Sequence, residues 1–248
     1  MTTFSTRAAL ADARLQGACR LVGLQRSYFD AREYVRARRE TLDLEENRRH
    51  KALFVHVPKC AGTTIFQQVP IAHGHRSASF FYWRDRALFE SCFTFGIVRN
   101  PYDRLVSAFH YLRSDQTSVR DGDWGRKHLS MFEGFEDFME ALKRPLERAR
   151  LLGWLHFLPQ TYYLCDRSNR VLVDYYGRTE TFADDIVTIN ERAGLAIENR
   201  QSRAVPRATY RKFYTEETAR LVERIYADDF RVFDYPFETG FGPEQGAA

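Results

Sequence analysis

Ala52-Leu53-Phe54-Val55-His56-Val57-Pro58-Lys59-Cys60-Ala61-Gly62-Thr63-Thr64 is the stretch whose reading decides the fold. Ala52–Val57 is an unbroken apolar run apart from one histidine, the pattern of a strand buried on both faces of a parallel sheet. Thr63–Val69 then predicts a short helix that stops before Pro70. A strand ends, a small-residue loop carries one lysine, and a helix opens with two hydroxyls. Such a turn aims backbone N–H groups at one point and suits a phosphate or sulfate. The order differs from the G-x-x-x-x-G-K-[ST] loop, because Lys59 precedes the single glycine, Gly62. On residues alone the loop reads either as an anion site or as an ordinary β–α turn.

Phe93–Val98 is a second apolar strand, running into Arg99-Asn100-Pro101-Tyr102-Asp103-Arg104-Leu105-Val106-Ser107. Asn100 is a favoured N-cap, Pro101 suits the first helical position, and Asp103 lies in the first turn. Arg99 and Ser107 can converge on a second phosphate, with the guanidinium as a planar donor fork. The alternative is a structural ion pair at Arg99 and a plain helical serine.

Taken together, VPKCAGTT and RNPYDRLVSAF resemble the 5′- and 3′-phosphosulfate-binding motifs of the carbohydrate sulfotransferase family. The branch that they resemble holds heparan sulfate 2-O-sulfotransferase and the chondroitin and HNK-1 enzymes. His73-Gly74-His75 is similar to the HGH segment that carries the catalytic histidines of the 2-O enzymes. His156–Gln160 and Asp174–Glu180 match the downstream pattern, so the resemblance spans Lys51 to Tyr235. It implies a P-loop-like α/β sulfotransferase fold, a central parallel sheet flanked by helices. The implied donor is 3′-phosphoadenosine 5′-phosphosulfate, with no metal. Lys59, Ala61, Gly62, Thr63 and Thr64 would hold the 5′-phosphosulfate, and Arg99 and Ser107 the 3′-phosphate. His75 would be the general base, with His73 as neighbour or substitute, and Lys59 would stabilise the leaving phosphate. Residues two apart in an extended segment point the same way, so both imidazoles are expected in one cleft. Read without the resemblance, the pair is equally a surface feature or half of a metal site. Arg200, Arg203, Arg207, Arg211 and Lys212 form a basic segment, read either as a solvated loop or as a loop over the nucleotide. On the second reading Arg203 and Arg207 bind the donor.

Composition bounds the rest. The chain has 248 residues, 44% hydrophobic and 15% aromatic, enough for one sizeable core. No run approaches the roughly 20 apolar residues that cross a bilayer, and Met1–Leu10 lacks a signal-peptide core. The expectation is a soluble, bacterial-type, cytoplasmic enzyme, unlike the membrane-anchored Golgi members of the family. Residues 1–51 hold 11 Lys/Arg and 7 Asp/Glu, while the remainder holds 26 of each. The balanced remainder argues against a nucleic-acid surface. The spacing of Leu10, Ala13, Gly17, Leu21, Leu24 and Tyr28 predicts a basic helix over Arg7–Tyr28. It packs on its own domain or a second subunit, or lies at a membrane surface.

The expected division is a helical extension over 1–50, a catalytic domain over 51–240 and a tail over 241–248. Within it the reading is a loop at Arg113–Gly125, helices at Phe132–Leu142, Leu151–Leu164 (broken near Pro159), Phe182–Ala193 and Glu216–Phe230, and a third strand at Arg170–Tyr176. Four scattered cysteines form no C-x-x-C. Cys60 is read as a small loop residue whose thiolate fraction could rise beside Lys59. The competing functions are a P-loop kinase or nucleotide hydrolase, which needs Mg²⁺ and an acidic strand end, and a non-enzymatic anion-binding module. The acceptor is expected to be a carbohydrate or glycoconjugate hydroxyl.

Overall fold

The computed structural model describes residues 25–71, 73–199 and 209–242. Its centre is a parallel sheet, ordered β1 (Ala52–Val55), β2 (Phe93–Val98), β3 (Tyr175–Arg178). Ala52 pairs with Phe93 and Val55 with Gly96, and Phe95 pairs with Tyr175 and Val98 with Arg178. All four residues of β1 and the last five of β2 are buried, as a sheet covered on both faces requires. The α/β expectation therefore holds.

Parallel pairing places the C-terminal ends of all three strands at one edge, where open α/β sheets bind ligands. β1 delivers Lys59 there and β2 delivers Arg99. After β3, Glu180 accepts the N–H of Asn100 at 2.7 Å. Helix α6 (Pro101–Leu112) follows β2, capped by the Asn100 side chain on the Tyr102 N–H at 3.0 Å. Its buried Arg104 reaches across the edge to the carbonyls of Pro58 at 3.1 Å and Leu158 at 2.8 Å. One guanidinium thus ties the loop after β1 to the segment before α10 (Gln160–Leu164). Asp229 closes the same junction, accepting the N–H groups of Gln160 and Thr161 at 2.8 and 2.9 Å.

Several elements differ from the expectation. The first-loop helix is α3, Gly62–Phe66. Arg113–Gly125 is not an open loop, since α7 spans Val119–Leu129 and Ser118 caps it through the Asp121 N–H. The third strand begins five residues later than predicted and ends two later, at Tyr175–Arg178, because Val171 bridges back antiparallel to Cys165 and Asp174 is clamped on Thr94. Leu151–Leu164 is a helix end, one 3₁₀ turn at Leu155–Phe157 and α10. The predicted helix over Phe132–Leu142 runs Phe135–Lys143, and Glu216–Phe230 divides at Tyr226 into α12 (Glu216–Ile225) and α13 (Ala227–Val232). Phe182–Ala193 is helical as predicted.

Most of the predicted Arg7–Tyr28 helix lies outside the described residues. A helix does run from Gln25 to Arg39, here α1, and it is knitted into the body. Glu33 in α1 is buried and accepts from Arg36, Ser77 and Tyr162 at 2.7–2.8 Å. Burial opposes its charge, but these partners together with Arg32 outweigh it and hold the carboxyl below its usual range. Among the described residues no helix is long and apolar enough to cross a membrane.

Candidate active site

The loop after β1 is built from two non-glycine residues in left-handed backbone, Lys59 at φ 68° and Ala61 at φ 54°. Each such residue costs about 1–2 kcal/mol and persists where its surroundings fix it. Arg104 holds Pro58, Arg99 Nη1 donates to the Lys59 carbonyl at 3.1 Å, and the Cys60 thiol lies 3.3 Å from Gln160 Oε1. The turn concentrates N–H groups in a concavity of the kind that binds anions. Those of Cys60, Ala61, Gly62 and Thr63 have no acceptor among the described residues. The Thr64 N–H is spent on the Ala61 carbonyl at 3.1 Å, so only its hydroxyl remains for a ligand, alongside that of the exposed Thr63. Gly62 is required, because a Cβ there would lie 2.0 Å from His56 Nε2.

One expectation about this loop changes. The Cys60 thiol is pushed up to about 12 by burial, against the opposing pull of Arg104 and Arg99, so it is neutral rather than a primed thiolate. Lys59 does not extend into solvent. Its Nζ sits 3.9 Å from the centre of the Tyr111 ring, and burial together with Arg99 brings its pKa down to about 8.

In the second motif, Arg99 ion-pairs with Asp103 at 2.8 Å while holding Lys59. The structural reading of Arg99 is thus part of the truth. It leaves donors of the five-donor guanidinium over. Asp103 and Ser107 stand one turn apart on α6, and the Ser107 hydroxyl has no partner among the described residues. Gln160 holds the Arg99 backbone from both sides, N–H and carbonyl each at 2.8 Å. Arg203 and Arg207 lie outside the described residues. Of their neighbours, Glu198 pairs through its backbone with Gln68, and the Tyr210 hydroxyl meets Asn100 Nδ2 at 3.3 Å.

The two histidines of HGH do not share a cleft. Gly74 takes φ 68° and breaks the extended run that would have aligned them. His73 Nε2 donates to Oδ1 of the buried Asn47, whose amide in turn holds the carbonyls of Ala52 and Ile71. His75 turns the other way. Its Nδ1 donates to the His56 carbonyl at 3.3 Å, and its ring lies 4.3 Å from that of His56 and 5.3 Å from that of His156. The His156 ring in turn meets Tyr111 at 5.0 Å, the same ring that carries Lys59. Lysine and His75 therefore share one cluster of rings.

Burial keeps this cluster neutral. It moves His75 down to about 4, and drives His56 and His156 well below the ordinary imidazole value with help from His75 and Lys59. The unfolded chain protonates near 6.5, whereas the folded site resists, so stability is intact above about pH 6.5 and drains as pH falls towards 4. Each such histidine contributes about 1.4 kcal/mol per pH unit in that window. The melting temperature is expected to drop across pH 6.5 to 4, with the His156→Phe variant showing a shallower slope. Scanning calorimetry decides it, and a flat profile for the unmodified protein contradicts the argument.

His156, Tyr111, Asp121 and Gln160 were not singled out as site residues. Asp121 had a local signal: Ser118 followed three residues later by an acid is a helix-start pattern. His156 and Gln160 lie in the stretch that matches the downstream family pattern, whereas Tyr111 carries no such signal.

A family model described as the sulfotransferase family matches residues 44–236, taking in both motifs, the ring cluster and α13. No curated protein and no solved structure matches the chain.

Proposed function

The chain belongs to the sulfotransferase family, and on that premise we propose that it moves a sulfuryl group from 3′-phosphoadenosine 5′-phosphosulfate to a hydroxyl of a carbohydrate or glycoconjugate. The observation that carries this reading is the meeting of Lys59 and His75 on one ring cluster beside four unspent N–H groups. Sulfuryl transfer, like phosphoryl transfer, asks chiefly for positioning and charge neutralisation. The loop N–H groups and the Thr63 and Thr64 hydroxyls would bind the 5′ end of the donor. Lys59 would leave the Tyr111 face and neutralise the charge growing on the departing phosphate oxygen. His75 donates through Nδ1, which leaves the Nε2 lone pair to take the acceptor proton.

A phosphoryl-transfer reading has less support. It needs a carboxylate near a strand end to hold Mg²⁺. Here β2 ends at Val98 and runs straight into Arg99, and Glu180 after β3 accepts from the Asn100 N–H and the Tyr235 hydroxyl.

Donor binding is the direct test. Thermal shift and calorimetry are expected to show tight binding of adenosine 3′,5′-bisphosphate without metal, and much weaker binding of ADP or ATP–Mg²⁺. Arg99→Ala is a poor probe of the 3′-phosphate, because Arg99 also holds the Lys59 carbonyl. Ser107→Ala is cleaner and should weaken the bisphosphate about tenfold, as one charge-assisted hydrogen bond is lost, while leaving 5′-AMP unchanged. Equal affinity of the unmodified protein for ADP and the bisphosphate rejects the donor assignment.

A further inference from the structure

Behind the ring cluster lies a buried carboxylate that the proposed chemistry does not yet use. Asp121 is 5% exposed and His156 3%. Asp121 Oδ2 accepts from Ser118 Oγ at 2.8 Å and faces the Tyr111 hydroxyl at 3.5 Å. Its other oxygen, Oδ1, is enclosed and has no hydrogen-bond partner among the described residues, and neither has His156 Nδ1. These two orphaned atoms face each other at 3.7 Å. A buried acceptor and a buried ring nitrogen left unsatisfied side by side cost stability, so such a pair calls for a use.

We propose that Asp121 and His156 are positioning residues for His75: His156 walls its ring, and Asp121 supplies the counter-charge for the imidazolium formed there during transfer. The proposal rests on the reading of His75 as the base. In the transfer step the acceptor oxygen bonds to sulfur. The sulfur–oxygen bond to the 5′-phosphate breaks, and its electron pair leaves on the phosphate oxygen. The acceptor proton passes to His75. A positive charge thus appears on a ring packed edge-on against His156 at 5.3 Å and 73°. Lys59 and the exposed Arg120, whose Nη2 lies 3.9 Å from Asp121 Oδ1, disfavour that charge; Arg104 faces His156 from α6, and His56 is held neutral. Asp121 is the carboxylate that faces the cluster and favours it. A fixed negative charge costs no reorganisation at the moment of transfer, which is why preorganised charge lowers barriers. The Tyr111 and Ser118 hydroxyls hold one oxygen of the carboxylate and leave the other turned to His156.

The test uses the full chain saturated with adenosine 3′,5′-bisphosphate and labelled in its histidine rings for NMR. The His75 signal is identified by its loss in His75→Ala. Asp121→Asn keeps the helix cap, which uses the Asp121 N–H rather than its carboxylate. In that variant His75 is expected to titrate about one pH unit lower, and transfer to slow about tenfold. On a His75→Ala background, Asp121→Asn should cause no further loss. An unchanged His75 titration overturns the proposal, even if the rate falls, and leaves the base assignment standing. Full turnover in His75→Ala overturns the base assignment itself. If Asp121→Asn does not fold, His156→Gln carries the test: kcat should fall about tenfold with bisphosphate affinity kept, and an unchanged kcat overturns the proposal.

Discussion

Lys59→Ala is expected to lower sulfuryl transfer by about 10³-fold. Removing one preorganised donor from a developing negative charge typically costs 10²–10³ in rate, and here the donor carries a full charge in a mostly enclosed place. The lysine also has a pH signature of its own. Burial and Arg99 bring it down to about 8, so the free site is fully cationic only below that value. An arriving anion stabilises the charged form and raises the pKa, so binding takes up a proton above pH 8. Affinity for adenosine 3′,5′-bisphosphate should therefore fall about tenfold per pH unit above pH 8, until the value of the bound lysine is reached. Calorimetry in buffers of different ionisation enthalpy reads the proton directly. Lys59→Arg should keep the affinity at pH 9 and lose the slope, because a guanidinium does not titrate there. Turnover in Lys59→Ala within tenfold of the unmodified protein removes Lys59 from the chemistry.

The parts of this site that follow from consecutive residues were legible in the sequence. An apolar run, a small-residue loop and Asn100-Pro101 each carry their own local physics, and β1, β2 and α6 form close to where those signals place them. What was not legible depends on residues far apart in the chain. Gln160 looks like any helix-start glutamine, yet it holds both sides of Arg99 and receives the Cys60 thiol. The Asp174 clamp on Thr94 sets where β3 begins, and no propensity at Arg170–Val173 reports it. Cys60 is the small buried loop residue expected of it, but its thiolate fraction does not rise, because burial outweighs the nearby cations. The HGH pair misled for a different reason. Period-two reasoning holds for extended backbone, and a single left-handed glycine between the two histidines cancels it.

That cancellation gives the second large prediction. His75→Ala is expected to lower kcat by 10²–10⁴-fold, the usual loss when a general base is removed, while adenosine 3′,5′-bisphosphate binds as before. His73→Ala should behave in the opposite way. It deletes a hydrogen bond to the buried Asn47, whose amide also ties Ala52 to Ile71, and leaves Asn47 Oδ1 without its donor. The cost is about 1–3 kcal/mol of stability. The melting temperature should drop, with kcat below the transition close to that of the unmodified protein. The contrast separates chemistry from scaffolding within three consecutive residues. His75 is held down to about 4, so at neutral pH it already carries the lone pair that a base needs. The same depression makes it a weak base in the empty site. An anionic donor beside Lys59 counters the cations that disfavour the imidazolium, so His75 should titrate higher with the bisphosphate bound than without it. The acid limb of kcat should then lie above that of kcat/KM, since the first reports the complex and the second the free enzyme. The result that sinks this assignment is a His75→Ala enzyme with unimpaired kcat and an unchanged acid limb. If His73→Ala then shows the loss instead, the base lies on the Asn47 side of Gly74.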